Sequence, residues 1–340
     1  MKNKKWISLT AAVVLAVTTL PMGVLAAKKD RAEESFTKVT LNEVAHSIFY
    51  APQYVAIEEG YFAEEGLDLT LVTGFGADKT MTAVISGEAD IGFMGAEASI
   101  YAYQEGATDP VVNFAQLTQR AGNFLVAREQ MADFKWEDLK GKKVLGGRKG
   151  GMPEMVFEYI LRKNGLDPQK DLTIDQSIDF GSTAAAFTGD DSAEFTVEFE
   201  PSATLLEKEN AGYVVASLGV DSGYVPYTSY SAKTSYIDKN PQIIQKFTNA
   251  LQKGMEYVQN HTPEEIAQVI APQFAETDLD TITTIVKRYH DQDTWKSDLI
   301  FEEESFELLE DILEEAGELK ERAEYKNLVN TEYARKAAEK

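Results

Sequence analysis

The 340-residue chain contains no cysteine. That excludes disulfides, thiolate catalysis and cysteine-ligated zinc or iron–sulfur centres. Histidine is nearly as scarce, with only His46, His261 and His290 in the whole sequence. No histidine-rich metal site is expected, and no metal or cofactor is assigned. Basic residues are also few, 33 against 56 acidic ones, for a formal net charge of -23. Such a chain repels phosphate backbones and anionic lipid, so no nucleic-acid partner is expected. The plainest use of this acidity is solubility. Past residue 26 no apolar run approaches the length needed to cross a bilayer. Nucleophile elbow, P-loop, zinc and dinucleotide signatures are all missing, so no residue is assigned a catalytic role. Short-period repeats and low-complexity tracts are missing as well. Hydrophobic content of 44% and charged content of 26% are ordinary globular values, enough to build a core.

The amino-terminal residues carry a compartment signal. Lys2, Lys4 and Lys5 precede an apolar stretch from Trp6 to Leu20, which Pro21 and Gly23 then break. Val24-Leu25-Ala26 places small residues at a cleavage site. Residues 1–26 therefore read as a secretory signal, and the protein is expected outside the cytoplasm. Ala27 and Lys28 stand where a lipid-anchored protein would need a cysteine. Residues 27–36 read as a polar linker.

Beyond the linker, strands and helices alternate. Strand patterns fall at 37–43, 67–73, 89–94 and 111–117, with helices at 49–60, 77–87 and 96–105 between them. This rhythm suggests parallel βαβ units. A connector at 120–128 leads to a second set. Its strands are 142–146, 171–175, 195–199 and 212–217, and its helices 153–165, 182–189 and roughly 201–210. A return strand at 225–233 precedes an almost wholly helical stretch from 239 to about 324. The architecture expected is α/β with two lobes joined by crossings near 121–128 and 223–232. Lobe 1 would comprise 37–122 plus 230–325, lobe 2 would comprise 123–229, and 326–340 would be a carboxyl-terminal tail. Hinge closure of two such lobes around a ligand is a known repertoire.

Several segments carry a family resemblance. HSIFYAPQYVAIEEGYFAEEGLD at 46–68, SGEADIGFMG at 86–95, DLKGKKVL at 138–145, VEFEP at 197–201 and EEESFELLEDILEEAG at 302–317 occur in this order. As a set they resemble bacterial solute-binding proteins for thiamine pyrimidine precursors and for alkanesulfonates and taurine, and the fungal pyrimidine synthases of the same fold. The resemblance implies a type 2 periplasmic-binding-protein fold, a small-molecule ligand and an ABC permease as partner. A monomer is expected. The fungal synthases carry a cysteine-rich motif that this chain lacks, which puts the enzymatic alternative in doubt. Gly60 and Gly66 in the first segment suit helix ends, so these residues mark the family and not the ligand.

In open α/β sheets a ligand lies beyond the carboxyl ends of the strands. The loop after the first strand holds His46, Phe49 and Tyr50, which the resemblance places at the cleft. Aromatic faces there could sandwich a planar heterocycle. His46 could instead be a capping or core histidine. The glycine-rich loop 146–151 surrounds Arg148 and Lys149 and includes Gly150. It is either an anion site or a strand-to-helix turn with solvent-facing charges. Glu97 opens a helix, where an acid complements the dipole and where it could also meet a ligand amine. Glu198 and Glu200 could hold an amidine-like ring, or one of them could tie the lobes together. Tyr224 and Tyr227 lie in the return crossing. Phe75, Asn123 and Thr183 complete the candidates. The pyrimidine precursor is the first expectation for the ligand, and a sulfonate or other small anion is the alternative.

Overall fold

The computed structural model describes residues 36–178 and 181–339. The expected signal and linker lie outside the described residues, apart from Phe36, as do Asp179, Phe180 and Lys340.

Among the described residues, ten strands form two five-stranded sheets. β1 (Thr37–Glu43), β2 (Leu67–Thr73), β3 (Ile91–Met94), β4 (Val111–Thr118) and β10 (Thr228–Lys233) make the first, in the order β2-β1-β3-β10-β4. β5 (Asn123–Ala127), β6 (Lys143–Leu145), β7 (Thr173–Asp175), β8 (Phe195–Phe199) and β9 (Tyr213–Ser217) make the second, in the order β7-β6-β8-β5-β9. The fold is mixed α/β with the two sheets in separate lobes.

The expectation of parallel βαβ units holds in part. β1 runs parallel to β2 and β3, and β6 runs parallel to β7 and β8. β10 is antiparallel to both β3 and β4, and β5 is antiparallel to both β8 and β9. These two strands each begin where the chain has just crossed between lobes. The segment 120–128, expected as a connector, is partly a strand. All five residues of β5 are buried between neighbours on both sides.

The residues expected as a tail have a packing role. β4 ends the first sheet, yet every residue in it is buried. An isolated bridge joins Asn113 to Val329, and the Asn330 amide donates to the Asn113 carbonyl at 2.8 Å. The short helices Tyr325–Leu328 and Glu332–Ala338 flank this contact. Farther along, Trp295 bridges to Thr118. Together these segments cover an edge that would otherwise offer free backbone groups.

The first lobe's core is an aromatic ladder. Tyr50 meets Phe93 with centroids 4.5 Å apart, Phe93 stacks on Tyr230 at 4.2 Å, and Tyr230 meets Phe247 at 5.4 Å. Phe247 belongs to the long helix Pro241–Asn260, whose apolar face lies against helix Ala51–Glu58. None of the described helices is long and apolar enough to cross a membrane.

Candidate functional site

The strands of both sheets lead into loops that face one another across a cleft. A cavity of about 430 Å³ lies there. From the first lobe it is lined by Val44, Tyr50, the segment 75–79, Gly95 and Glu97. From the second come Gly147, Arg148, Gly151, Met152, Pro153, Ser182 and Phe199, with Tyr227 and Thr228 from the return crossing. A smaller cavity of about 150 Å³ shares Gly147, Pro153 and Phe199 and adds His46, Ser47, Thr183, Glu198 and Glu200. An open groove of about 720 Å³ adjoins the first cavity through Ala77, Asp78, Glu97 and Arg148.

Of the residues expected at the site, Tyr50, Phe75, Glu97, Arg148 and Tyr227 therefore meet at the main cavity. Phe75 stands at its rim, 73% exposed, in the left-handed backbone region with φ 58. It is flanked by Gly74 and Gly76. A Cβ on Gly74 would come within 2.5 Å of the Asn42 and Thr80 side chains, so the loop turns tightly against β1. Gly150 lines the groove. His46, Thr183, Glu198 and Glu200 meet at the smaller cavity.

Four candidates lie elsewhere. Phe49 is fully buried behind the wall, packed on Phe199, Tyr227 and Tyr289. Asn123 is buried and accepts from the Tyr227 hydroxyl at 3.2 Å. Lys149 points away to an ion pair with Glu318 at 3.2 Å. Tyr224 is exposed, donates to Asp293 at 2.6 Å and lies under the Arg120 guanidinium.

Polar groups at the cleft divide into those already satisfied and those not. His46 has a neighbour on both ring nitrogens: Nδ1 lies 2.8 Å from a Glu43 oxygen, and Nε2 lies 2.8 Å from the Gln273 carbonyl. Both partners accept, which favours the doubly protonated ring. The Glu43 hydrogen bond raises the His46 pKa above its ordinary value despite partial burial. Both ring nitrogens are thus engaged within the chain, while the residue stays exposed at the smaller cavity. Glu43, which was not singled out in the sequence, is fully buried and also accepts from Gln53 at 2.7 Å, Tyr54 at 2.8 Å and Thr73 at 3.0 Å. Glu200 accepts from the Thr204 amide and hydroxyl, both at 2.9 Å, and from Arg288 at 2.7 Å. It ties the second lobe to helix Leu279–Asp291.

Arg148 reaches across the cleft to Asp78 at 3.1 Å. Glu198 accepts from Thr183 at 3.0 Å and Thr196 at 2.6 Å, and burial pushes its pKa up to about 7. Glu97 differs from all of these. It is 3% exposed, and its Oε2 has no hydrogen-bond partner. Burial pushes its pKa up to about 7, against the opposing pull of its own amide, the Met152 amide and the Arg148 charge. No group of three or more metal-binding side chains occurs among the described residues.

Asp78, Lys79, Met152, Pro153 and Ser182 complete the lining, and Phe199 with them. The loops that carry them follow from the strand ends. Their individual side chains had no signal in the sequence beyond membership of those loops.

Two facing α/β lobes with a lined cleft between them define the periplasmic-binding-protein type of fold. The alkanesulfonate-binding protein SsuA from Xanthomonas axonopodis pv. citri, solved with MOPS bound, superposes with a TM-score of 0.70 at 15% identity, covering 87% of this chain and 98% of that one. The family described as NMT1/THI5 like matches residues 48–266, and the chain belongs to that family. It is 48% identical over 332 residues to the "Putative binding protein YtlA" of Bacillus subtilis (strain 168), covering 98% of each chain. It is also 24% identical over 252 residues to the riboflavin-binding protein RibY of Chloroflexus aurantiacus, covering 73% of this chain and 70% of that one.

Proposed function

We propose that this protein is the exported solute-binding component of an ABC importer, which captures a small molecule between its lobes and delivers it to a membrane permease without reacting with it. The ligand class the cleft favours is a neutral or cationic heterocycle bearing an amino group, such as a thiamine pyrimidine precursor. The observation that carries this reading is the buried, unpartnered Oε2 of Glu97 beside the aromatic walls of Tyr50, Tyr227 and Phe199. A buried acceptor without a donor costs about 1–3 kcal/mol, which a ligand N–H would recover. The rings supply flat apolar faces for a heterocycle. Closing the lobes removes water from the cleft and strengthens the polar contact by lowering the local dielectric. The relative named for riboflavin binding supports a heterocycle in this family. The lack of cysteine speaks against the synthase chemistry of the fungal relatives of the fold.

Thermal unfolding of residues 27–340 with aminopyrimidine precursors, thiamine, taurine and alkanesulfonates tests the reading. A ligand that binds only the folded state raises the midpoint. A rise with aminopyrimidines that Glu97→Gln weakens is the expected result. A rise with sulfonates alone would overturn it.

A further inference from the structure

The cleft contains three features that ordinarily attract anions, and each already faces a carboxylate of the same chain. Helix Ala77–Ser86 starts at the cavity wall with Asp78 in its first turn. Helix Met152–Lys163 starts at the opposite wall, and its Met152 amide acts on the Glu97 carboxyl. Arg148, in the glycine loop before that helix, is paired with Asp78 at 3.1 Å. Helix starts and a guanidinium are the groups by which proteins hold sulfonates, phosphates and carboxylates. Among the described residues Lys79 is the other cation of this lining, and it is exposed with its Nζ donating to the Phe75 carbonyl at 3.3 Å.

We infer that Asp78 sets the charge selectivity of the cleft: together with Glu97 it acts as a built-in counter-anion that keeps small anions out. This rests on the proposed binding role of the cleft and adds to it a reason why a fold shared with a sulfonate binder would refuse that ligand. An incoming sulfonate must displace Asp78 from Arg148 and then lie against two carboxylates. Removing Asp78 frees the guanidinium without disturbing the core, because both partners are about half exposed, 48% for Arg148 and 56% for Asp78.

Isothermal titration with ethanesulfonate on the wild type, Asp78→Ala, Asp78→Asn and the double variant Asp78→Ala/Arg148→Gln tests this. The expected result is that Asp78→Ala binds ethanesulfonate on the order of tenfold more tightly than the wild type, the scale of one charge-assisted hydrogen bond. Asp78→Asn should move in the same direction, which guards against a misfolded alanine variant. The double variant should return to the wild-type value. Folded single variants with no gain, or a gain that survives loss of Arg148, would overturn the inference. So would a wild type that already binds ethanesulfonate as well as Asp78→Ala does. An aminopyrimidine titration of the wild type in the same series reads the proposed function separately. Its failure would leave the comparison among the ethanesulfonate arms intact.

Discussion

Arg288 joins two carboxylates of the other lobe with one guanidinium: its Nη1 lies 2.7 Å from Glu200, and its Nη2 meets Glu207. Glu200 is fully buried at its side chain. Arg288→Ala would leave that charge without its cation, a change that typically costs about 3–5 kcal/mol. Arg288→Lys should recover only part, because a single ammonium cannot span both acids as the planar fork does. Urea unfolding at pH 7 reads both.

His46 and Glu43 predict a pH signature. The Glu43 hydrogen bond raises the His46 pKa, so its ring should titrate above the ordinary histidine range. Glu43→Gln should bring it down. With three histidines in the chain, the ring resonances are few enough to assign by substitution and follow by NMR titration.

Stability should fall as pH rises from mildly acidic to mildly alkaline. The folded-state pKa of Glu97 and that of Glu198 lie at about 7, above the ordinary carboxylate value, so the folded state binds more protons than the unfolded chain between the two values. Stability then declines with rising pH across that window. The raised His46 acts in the same direction, since its contribution is present at low pH and is lost as pH rises through the folded value. The thermal midpoint should be higher at pH 5.5 than at pH 8, and Glu97→Gln should flatten the difference.

Gly254 offers a test where two effects oppose. It sits inside helix Pro241–Asn260, where alanine is preferred by about 1 kcal/mol on propensity alone. A Cβ there would stand 2.2 Å from the Pro52 carbonyl oxygen, a backbone atom of the neighbouring helix. The helices must then separate, and overpacking of this kind costs about 1–3 kcal/mol. Gly254→Ala should therefore lower the unfolding midpoint.

Much of the frame was legible from local pattern. Strand patterns at 37–43 and 67–73 marked β1 and β2, and the stretch beyond residue 239 was marked as helical. Strand ends followed by glycine placed the loops around the cleft. The antiparallel course of β5 and β10 was not legible, because the residue pattern of a short strand reads alike in either direction. Nor was the covering of β4 by residues 325–338, which depends on a bridge between Asn113 and Val329. At the site, Glu97, Tyr50, Tyr227, Arg148 and Phe75 were legible as loop residues. Whether each was free or already engaged was not.

The sequence by itself determined the elements, the family and the loops that face the cleft, because periodicity, glycine placement and motif order are properties of neighbouring residues. Only the tertiary structure decided which polar groups remain available. The ring of His46 is engaged by a carbonyl 227 positions away, and Arg148 is neutralised by an acid from the opposite lobe. Hydrogen bonds and ion pairs are settled by distance in space, and among the described residues at the cleft that distance left Glu97 a buried carboxyl with one oxygen lacking a partner.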